Sequence, residues 1–479
     1  MSIPDILPPP FLPLTREALH VIAPLIAQNG FLCSDVSLGM LLTWQGDTGA
    51  YYCVRRGTFS IMQPIGDSMA FTWPWGDDVG GMLDLIFGYA EANGLPLRFY
   101  PVSDGLLENI RRDGRFAEAL YGYDERWSDY VYSFEEARTF AGRKFNGQRN
   151  HINKFVRLYG EPDIRPVAEG DIPALEAMLD RYGREHADAG RLELEEIGHT
   201  RRLLEASLEY GLPAAFMVID GEAAAFSIGE IVGNMLVIHA EKALKRYEGI
   251  YPAMYRGFVN YIAGTVAAAP LYVNREDDSG DPGLRTSKLQ YHPLRLQNKY
   301  LVHVNPAAYR LRQRGELPRI RTANTVLDGF KDTDRAAYMR LSLDVENNRF
   351  WGYDYREDEY LGPIDVNTFF NQAAFDMSTG DSVNFALRLE EGGPMIGEGI
   401  LWNFNASKDV EVGLRIFPEY HGKGLGREAF RALSEFAEEL GLTPNARSFK
   451  ENAASVAMIL GSGYTDVRRD EKMVYFRRG

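Results

Sequence analysis

The chain has 479 residues, enough for two to four domains of ordinary size. With 45% apolar and 25% charged residues it has the composition of a soluble globular protein, and a net charge of −15 argues against a protein-wide attraction to nucleic acid or anionic lipid. Two cysteines, Cys33 and Cys53, are too few for a disulfide framework and suit a reducing cytoplasm.

The start, MSIPDILPPPFLPL, has no basic head and is broken by prolines, so no secretory signal is expected. Cys53 lies in the strand-like YYCVRR and reads as a core residue. Gly66-Asp67-Ser68-Met69-Ala70 falls short of a nucleophile elbow because the second glycine is lost. Between Ala137 and Gly160 stand six Arg or Lys, one His and no acid, above an apolar stripe of Ile152, Phe155, Val156 and Tyr159. Two readings are open: an anion site on an acidic protein, or a charged helix packed against the acids of its neighbour.

Residues 215–219, the turn Asp220-Gly221 and residues 223–231 predict a hairpin. A strand at Met235–His239, a helix over 249–262 and a short strand at Leu271–Val273 follow. Glu241 and Lys242 are adjacent, so a strand points them to opposite faces and they cannot act as one pair. The nearly apolar run Tyr261–Val273 has 13 residues with Gly264 and Pro270 inside it, too short to span a bilayer, and no stable membrane insertion is expected. Asn274-Arg275-Glu276-Asp277-Asp278 follows a strand, where α/β sheets place ligand-binding groups. There Asp277 can accept a proton, while Arg275, Arg285 and Lys288 can hold an anion or stabilise an oxyanion. A structural ion-pair cluster is the other reading.

A basic, proline-containing link, Arg310 to Arg321, separates two parts. Beyond it come a strand, an acidic helix start at Asp332 and Asp334, and the aromatic insert Phe350-Trp351-Gly352-Tyr353-Asp354-Tyr355. The insert is either an acceptor-binding loop or a hydrophobic cap. Val383 to Glu390 alternates as a central strand, Gly392-Gly393 turns it, and a strand follows around Ile396 to Phe404. In VEVGLRI, Val410, Val412, Leu414 and Ile416 share one face; Glu411, Gly413 and Arg415 share the other. The glycine-spaced turn His421-Gly422-Lys423-Gly424-Leu425-Gly426 then enters a helix whose Ala429, Phe430, Leu433, Phe436, Ala437 and Leu440 recur at helical spacing. A helix N-terminus with close backbone approach suits a phosphate. The P-loop pattern is absent, and Arg427 breaks the dinucleotide fingerprint. The eight histidines form no metal-ligand spacing, so no metal site is expected.

Residues 421–426 resemble the pyrophosphate loop of the GNAT acetyltransferases, Q/R-x-x-G-x-G/A, with His421 at the Q/R position and Gly424 and Gly426 at the glycine positions. Phe449-Lys450-Glu451-Asn452-Ala453-Ala454-Ser455, leading to Gly461-Ser462-Gly463-Tyr464, is similar to that family's last strand, helix start and closing strand. The resemblance implies acetyl-coenzyme A as co-substrate, bound by Leu414, Ile416, His421, Gly422, Lys423, Gly424, Leu425, Gly426, Arg427, Asn452 and Ser455. It also implies Glu411 as the catalytic base, with a solvated strand carboxylate as the alternative. Ile459 stands where many members carry a tyrosine acid. The thiolate is then protonated by another group or leaves unaided, or the module binds its ligand and catalyses poorly.

Three further segments, 142–155, 238–243 and 272–293, resemble the short soluble relatives of the catalytic domain of lysyl-phosphatidylglycerol synthase. That superfamily, like the Fem-type aminoacyl transferases, uses two fused GNAT-like folds. The expected architecture is therefore α/β, with three GNAT-like acyltransferase folds: a fused tandem of residues 1–158 and 159–310, then a C-terminal GNAT domain over 319–479. Arg149, Asn150, His151, Arg275, Asp277, Arg285 and Lys288 are the substrate-binding candidates of the tandem. The expected function is acyl-coenzyme A-dependent N-acyltransfer to a small-molecule or peptide amine, with a tandem that binds or modifies the acceptor. An aminoacyl-tRNA-dependent transferase of the phosphatidylglycerol lysyltransferase type is the alternative, and a non-catalytic coenzyme A-binding scaffold or sensor the second. The acceptor and the oligomeric state stay open.

Overall fold

A computed structural model describes residues 10–28, 33–44, 49–66, 68–185, 191–351, 355–357 and 364–479. Asp67, Gly352, Tyr353 and Asp354 lie outside the described residues, as do residues 1–9 of the N-terminal stretch. Among the described residues the strands form three sheets, of seven, seven and eight strands, with helices packed on them. The mixed α/β class and the three-sheet plan agree with the expectation.

The sheets do not follow the expected cut at 158/159. The strand Asp129–Ser133 leaves the first part of the chain and pairs in the second sheet with Tyr272–Asn274 and Arg295–Gln297. Two residues after Arg295–Gln297, the strand Tyr300–Val304 returns to the first sheet between Arg98–Val102 and Ala119–Gly122. Each sheet of the tandem is thus completed by a strand from the far part of the sequence. The basic helix Asn146–Tyr159 belongs with the second sheet, where Ile152 and Phe155 are buried beside Phe258 and Val259.

Local chemistry accounts for the hairpin of the second sheet. Ala214–Ile219 and Glu222–Val232 meet at Asp220 (φ +52°) and Gly221 (φ +82°), the two left-handed positions of a tight hairpin turn. Cys53 is buried in the strand Tyr51–Arg55, as expected.

The segment expected to link tandem and C-terminal part is instead structured and half sunk in the core. The helix Pro306–Gln313 buries Ala307, Ala308 and Leu311 with Leu120 against Val383, Phe385 and Leu401 of the third sheet. A fully buried leucine contributes about 1.5–3 kcal/mol, so this seam fastens the C-terminal module to the first sheet. Polar contacts extend it. Asn305 donates to the Gly380 carbonyl at 2.8 Å, and Arg98 Nε lies 3.3 Å from Asp381. Further along, the Ala406 N–H donates to the Leu95 carbonyl at 2.9 Å and the Ser407 hydroxyl to the Glu91 carbonyl at 2.5 Å.

Candidate functional site

The C-terminal sheet opens where the glycine turn begins. From Glu411 to Ile416 the strand Asp409–Ile416 pairs with Gly397–Trp402. With the parallel strand Thr443–Phe449 it pairs only from Asp409 to Glu411, against Thr443 to Asn445. Beyond Glu411 the two strands part, so Val412 to Ile416, Leu414 among them, lack a partner strand on that side. The turn lies at the mouth of this gap. Gly422 (φ +73°) and Gly424 (φ +79°) hold left-handed backbone that side chains disfavour. The N–H groups of Gly422, Lys423, Gly424, Leu425, Gly426 and Arg427 make no backbone hydrogen bond among the described residues. They cluster at the positive end of the helix Leu425–Glu439, whose Ala429, Phe430 and Leu433 are buried.

Surrounding side chains shape the turn. The His421 ring nitrogen Nε2 sits 2.9 Å from the Ile416 carbonyl, so it donates there and ties the turn to the strand end. Lys423 donates to the Glu419 carbonyl at 2.8 Å. Arg427 is exposed beside Gly461. A Cβ at Gly426 would meet Leu414 at 3.4 Å and Met458 at 3.6 Å. Asn452 caps the helix Ala453–Leu460 by accepting the Ser455 N–H at 3.1 Å, so its carboxamide oxygen is engaged in the fold. Ile459 is buried in the module's core.

Glu411 lies one sheet face away from the apolar row, and it is 4% exposed. One carboxylate oxygen accepts from Asn403 Nδ2 at 2.8 Å; the other lies 3.0 Å from Arg447 Nε. Glu411 and Arg447 line a cavity of about 360 Å³ whose far wall is Ser68 and Met69 of the first sheet and Asn93 to Pro96 at the end of the helix Val79–Asn93. On the same face, Trp351 stacks near Trp402 with centroids 6.2 Å apart, and Arg447 lies over the Trp402 ring. Next to it Arg415 is buried in a satisfied network. Glu398 accepts from Arg415 Nε at 2.7 Å, from Tyr338 at 2.9 Å and from Asn384 at 2.7 Å. Arg447 and Asn403 were not singled out from the sequence. A signal for Arg447 existed: Asn445, Arg447 and Phe449 alternate with buried Ala446 and Ser448, which puts them on the cavity face.

The tandem's candidates separate into two groups. Arg275, Asp277, Arg285 and Lys288 meet at the junction of the first two sheets. Lys299 is buried there, 2.6 Å from Asp35, 2.7 Å from Asp129 and 3.0 Å from Asp277. Burial alone would raise the Asp277 carboxyl, but Lys299 and Lys288 outweigh it and hold it below its usual range. Lys288 donates to the Arg275 carbonyl at 2.6 Å and to that of Asp277, and burial pushes its ammonium down to about 8. Arg285 Nε donates to buried Asp278 at 2.9 Å. Arg275 pairs with Glu241 at 3.1 Å and stacks over Tyr255 and Tyr291. Lys242 turns the other way, to Glu196 at 2.5 Å, as alternation requires.

Arg149, Asn150 and His151 are placed elsewhere. The Arg149 guanidinium donates to the carbonyls of Phe140 and Gly142 and to Asn146, which closes the end of the preceding helix. Asn150 and His151 are exposed. Among the described residues no hydrogen bond or ion pair joins these three to the junction cluster. Part of the basic segment is matched by neighbouring acids, Lys144 by Glu136 at 2.8 Å, Arg138 by Glu135 at 2.9 Å, and Lys154 by Glu248.

The junction also holds a histidine that its sequence context did not reveal. His239 is flanked by Glu276 (2.8 Å from Nδ1) and Glu230 (3.3 Å from Nε2). Glu230 also accepts the N–H groups of Leu38 and Gly39 from the other half. A Cβ on Gly39 would stand 2.2 Å from the imidazole, so glycine is required for this contact. Burial opposes the imidazolium, yet the two carboxylates outweigh it and raise His239 to about 9. A raised folded value means that this stabilisation is complete below the unfolded value near 6.5 and is lost as pH rises through about 9. Urea midpoints of the wild type should therefore fall between pH 7 and 10 more steeply than those of His239→Gln; parallel slopes would exclude a charged His239.

Comparison with known proteins follows the same division. A family profile described as "Phosphatidylglycerol lysyltransferase, C-terminal" matches residues 31–303, more than half of the chain, and one described as "Acetyltransferase (GNAT) domain" matches residues 324–465. An uncharacterized protein of Mycoplasmoides gallisepticum is 22% identical over 181 residues, 38% of this chain. The match spans 57% of that curated relative's length. A crystal structure of a conserved protein of unknown function from Bacteroides thetaiotaomicron covers 62% of this chain and 99% of its own, at 23% identity and a TM-score of 0.55, which shows a shared fold. L-PGS from Bacillus licheniformis covers 63% of this chain and 97% of its own, at 16% identity and a TM-score of 0.44.

Proposed function

Because the chain belongs to the family of the phosphatidylglycerol lysyltransferase C-terminal domain and carries a GNAT domain behind it, we propose that it is an acyltransferase whose C-terminal module moves an acetyl group from acetyl-coenzyme A to an amine. One observation carries this reading: the parted strands end at a turn of unpaired amides on a helix N-terminus. The residues present fit the co-substrate. The amides of 422–427 take its pyrophosphate, and the unpaired edge of Val412 to Ile416 takes its extended arm. When bound it supplies an activated thioester. Glu411 receives the proton that the attacking ammonium must lose, directly or through one water. Asn403 and Arg447 fix the carboxylate's direction from either side.

Calorimetric titration with acetyl-coenzyme A tests the reading; no binding by the wild type would overturn it. Glu411→Gln should lower thiol release on the order of 100-fold, the usual scale of general-base loss, while the acetyl-coenzyme A Kd stays within twofold. A matching rise in Kd would instead make Glu411 part of the co-substrate site.

A second reading places aminoacyl transfer from tRNA in the tandem. It is favoured by the family match over 31–303 and by the buried Lys288 and Lys299 among carboxylates at the junction. Counterion release would then make the activity fall steeply with added salt; a flat salt profile speaks against it.

A further inference from the structure

The loop 403–408 begins with the asparagine that holds Glu411, and it is fastened in two modules. Phe404 is buried in the core of the C-terminal module. Two residues on, Ala406 packs against the apolar core of the tandem's first sheet, the cluster of Leu83, Ile86 and Leu95. The Ala406 N–H donates to the Leu95 carbonyl at 2.9 Å, and the Ser407 hydroxyl to the Glu91 carbonyl at 2.5 Å. Both acceptors sit at the carboxyl end of the helix Val79–Asn93, which Gly94 closes at φ +61°. The last carbonyls of a helix have no partner within it, so this end takes the loop's donors as part of its own capping.

The rest of the loop is equally constrained. The Asn405 side chain accepts the Asp409 N–H at 2.9 Å, and the Lys408 carbonyl accepts the Thr443 N–H at 2.8 Å. Asn403 and Lys408 hold φ of +50° and +65°, left-handed backbone that few residues other than glycine and asparagine adopt readily. Asn403 leaves this fixed shape with Nδ2 2.8 Å from the Glu411 carboxylate. The charged groups facing Glu411 are Arg447 at 3.0 Å and, in the same cavity, Arg468 and Arg477, the last paired with Asp409 at 2.8 Å. The tandem's part of the cavity lining brings no charge; what the tandem supplies is position. The turn 422–427 makes no hydrogen bond or ion pair to the tandem among the described residues.

Resting on the acetyl-transfer reading above, we infer that the acetyltransferase centre is a composite of both modules. The helix end at Glu91 to Leu95 sets the loop, Asn403 is the positioning residue that passes this on, and Glu411 is thereby aimed at the acceptor ammonium. The tandem then governs turnover without touching the co-substrate, and disturbing its contact with the loop separates kcat from acetyl-coenzyme A affinity.

The test uses the full chain. Thiol release from acetyl-coenzyme A onto ethanolamine, lysine and lysinamide gives kcat and KM, and calorimetry gives the acetyl-coenzyme A Kd. Asn403→Gly keeps the left-handed backbone and removes the carboxamide; kcat should fall about tenfold, the scale of one lost hydrogen bond to a charged group. Ala406→Glu sets a carboxylate against the apolar core, lifts the loop off the tandem and should lower kcat on the order of tenfold by misplacing the base. Ser407→Ala, at an exposed position, should lower it about threefold. In all three the Kd should stay within about twofold of the wild type. Because the anchor acts through Asn403, the double variant Asn403→Gly/Ala406→Glu should match Asn403→Gly within about twofold. Asn403→Asp gives a readout that a merely structural loop would not move: a second carboxylate beside Glu411 should carry the acid limb of the kcat/KM profile about one pH unit upward. Full kcat in both anchor variants, losses that multiply in the double variant, a Kd that rises in step with the fall in kcat, an unmoved pH profile, or acetyl-coenzyme A binding without thiol release to any of the three amines would each overturn the inference while leaving the co-substrate reading in place. Failure of acetyl-coenzyme A to bind the wild type would bring down the functional reading itself.

Discussion

Gly424→Glu is expected to abolish measurable acetyl-coenzyme A binding, with a rise in Kd on the order of 100-fold, about 2.7 kcal/mol. Two effects combine. Gly424 sits at φ +79°, where a side chain costs about 1–2 kcal/mol. The new carboxylate also stands at the helix N-terminus and takes for itself the amides that would meet pyrophosphate. Gly424→Ala separates them, since it carries the backbone cost without the charge, and should weaken binding only a few fold. A Cβ at Gly424 meets no atom within 4 Å, so both variants should fold. Equal Kd values for the two variants would assign the effect to backbone and remove the anion from the account.

Lys299→Met should cost the tandem about 3–5 kcal/mol at pH 7.5, the scale for a buried ion network that loses one partner. Asp35, Asp129 and Asp277 would face one another without the ammonium between them. The pH dependence has a definite sign. Burial, only partly relieved by Lys299, already raises Asp35 to about 6, so its folded-state advantage lies at low pH and is lost as pH rises through that value. Lys299 holds down the carboxyls of both Asp35 and Asp277, so without it these two bind protons more readily. The loss should therefore shrink at pH 5.5. Urea midpoints of wild type and variant at both pH values decide it; an equal loss at both would mean that the methionine harms packing and that charge is not the cause.

The features legible in the sequence were those made by neighbours in the chain. The turn at Gly422 and Gly424, the hairpin at Asp220-Gly221 and the capping Asn452 each depend on a few consecutive residues. The face of Glu411 followed from alternation. What escaped was made by residues far apart. Lys299 meets Asp35 across more than 250 positions, and nothing near Lys299 marks it as buried. The wall of the cavity at Asn93 to Pro96 lies more than 300 residues before Glu411. The basic setting of Arg149 left open an anion site or a packed charged helix; in the structure its guanidinium donates to the carbonyls of Phe140 and Gly142 at a helix end, a contact that no local pattern marks.

The exchange of strands between the two tandem sheets sets an order of assembly during synthesis. Tyr300–Val304 fills the gap between Arg98–Val102 and Ala119–Gly122. The opening half therefore waits on the ribosome with an internal vacancy until nearly two hundred further residues have emerged. Domains that end before they are complete are prone to wrong pairing, and the long loop that must close slows folding. Nascent chains halted before residue 300 should stay protease-sensitive throughout the first sheet, and those released just past Gln313 should become resistant in one step. The tandem then behaves as one folding unit that happens to contain two sheets, and expression truncated at its midpoint has no native half to recover.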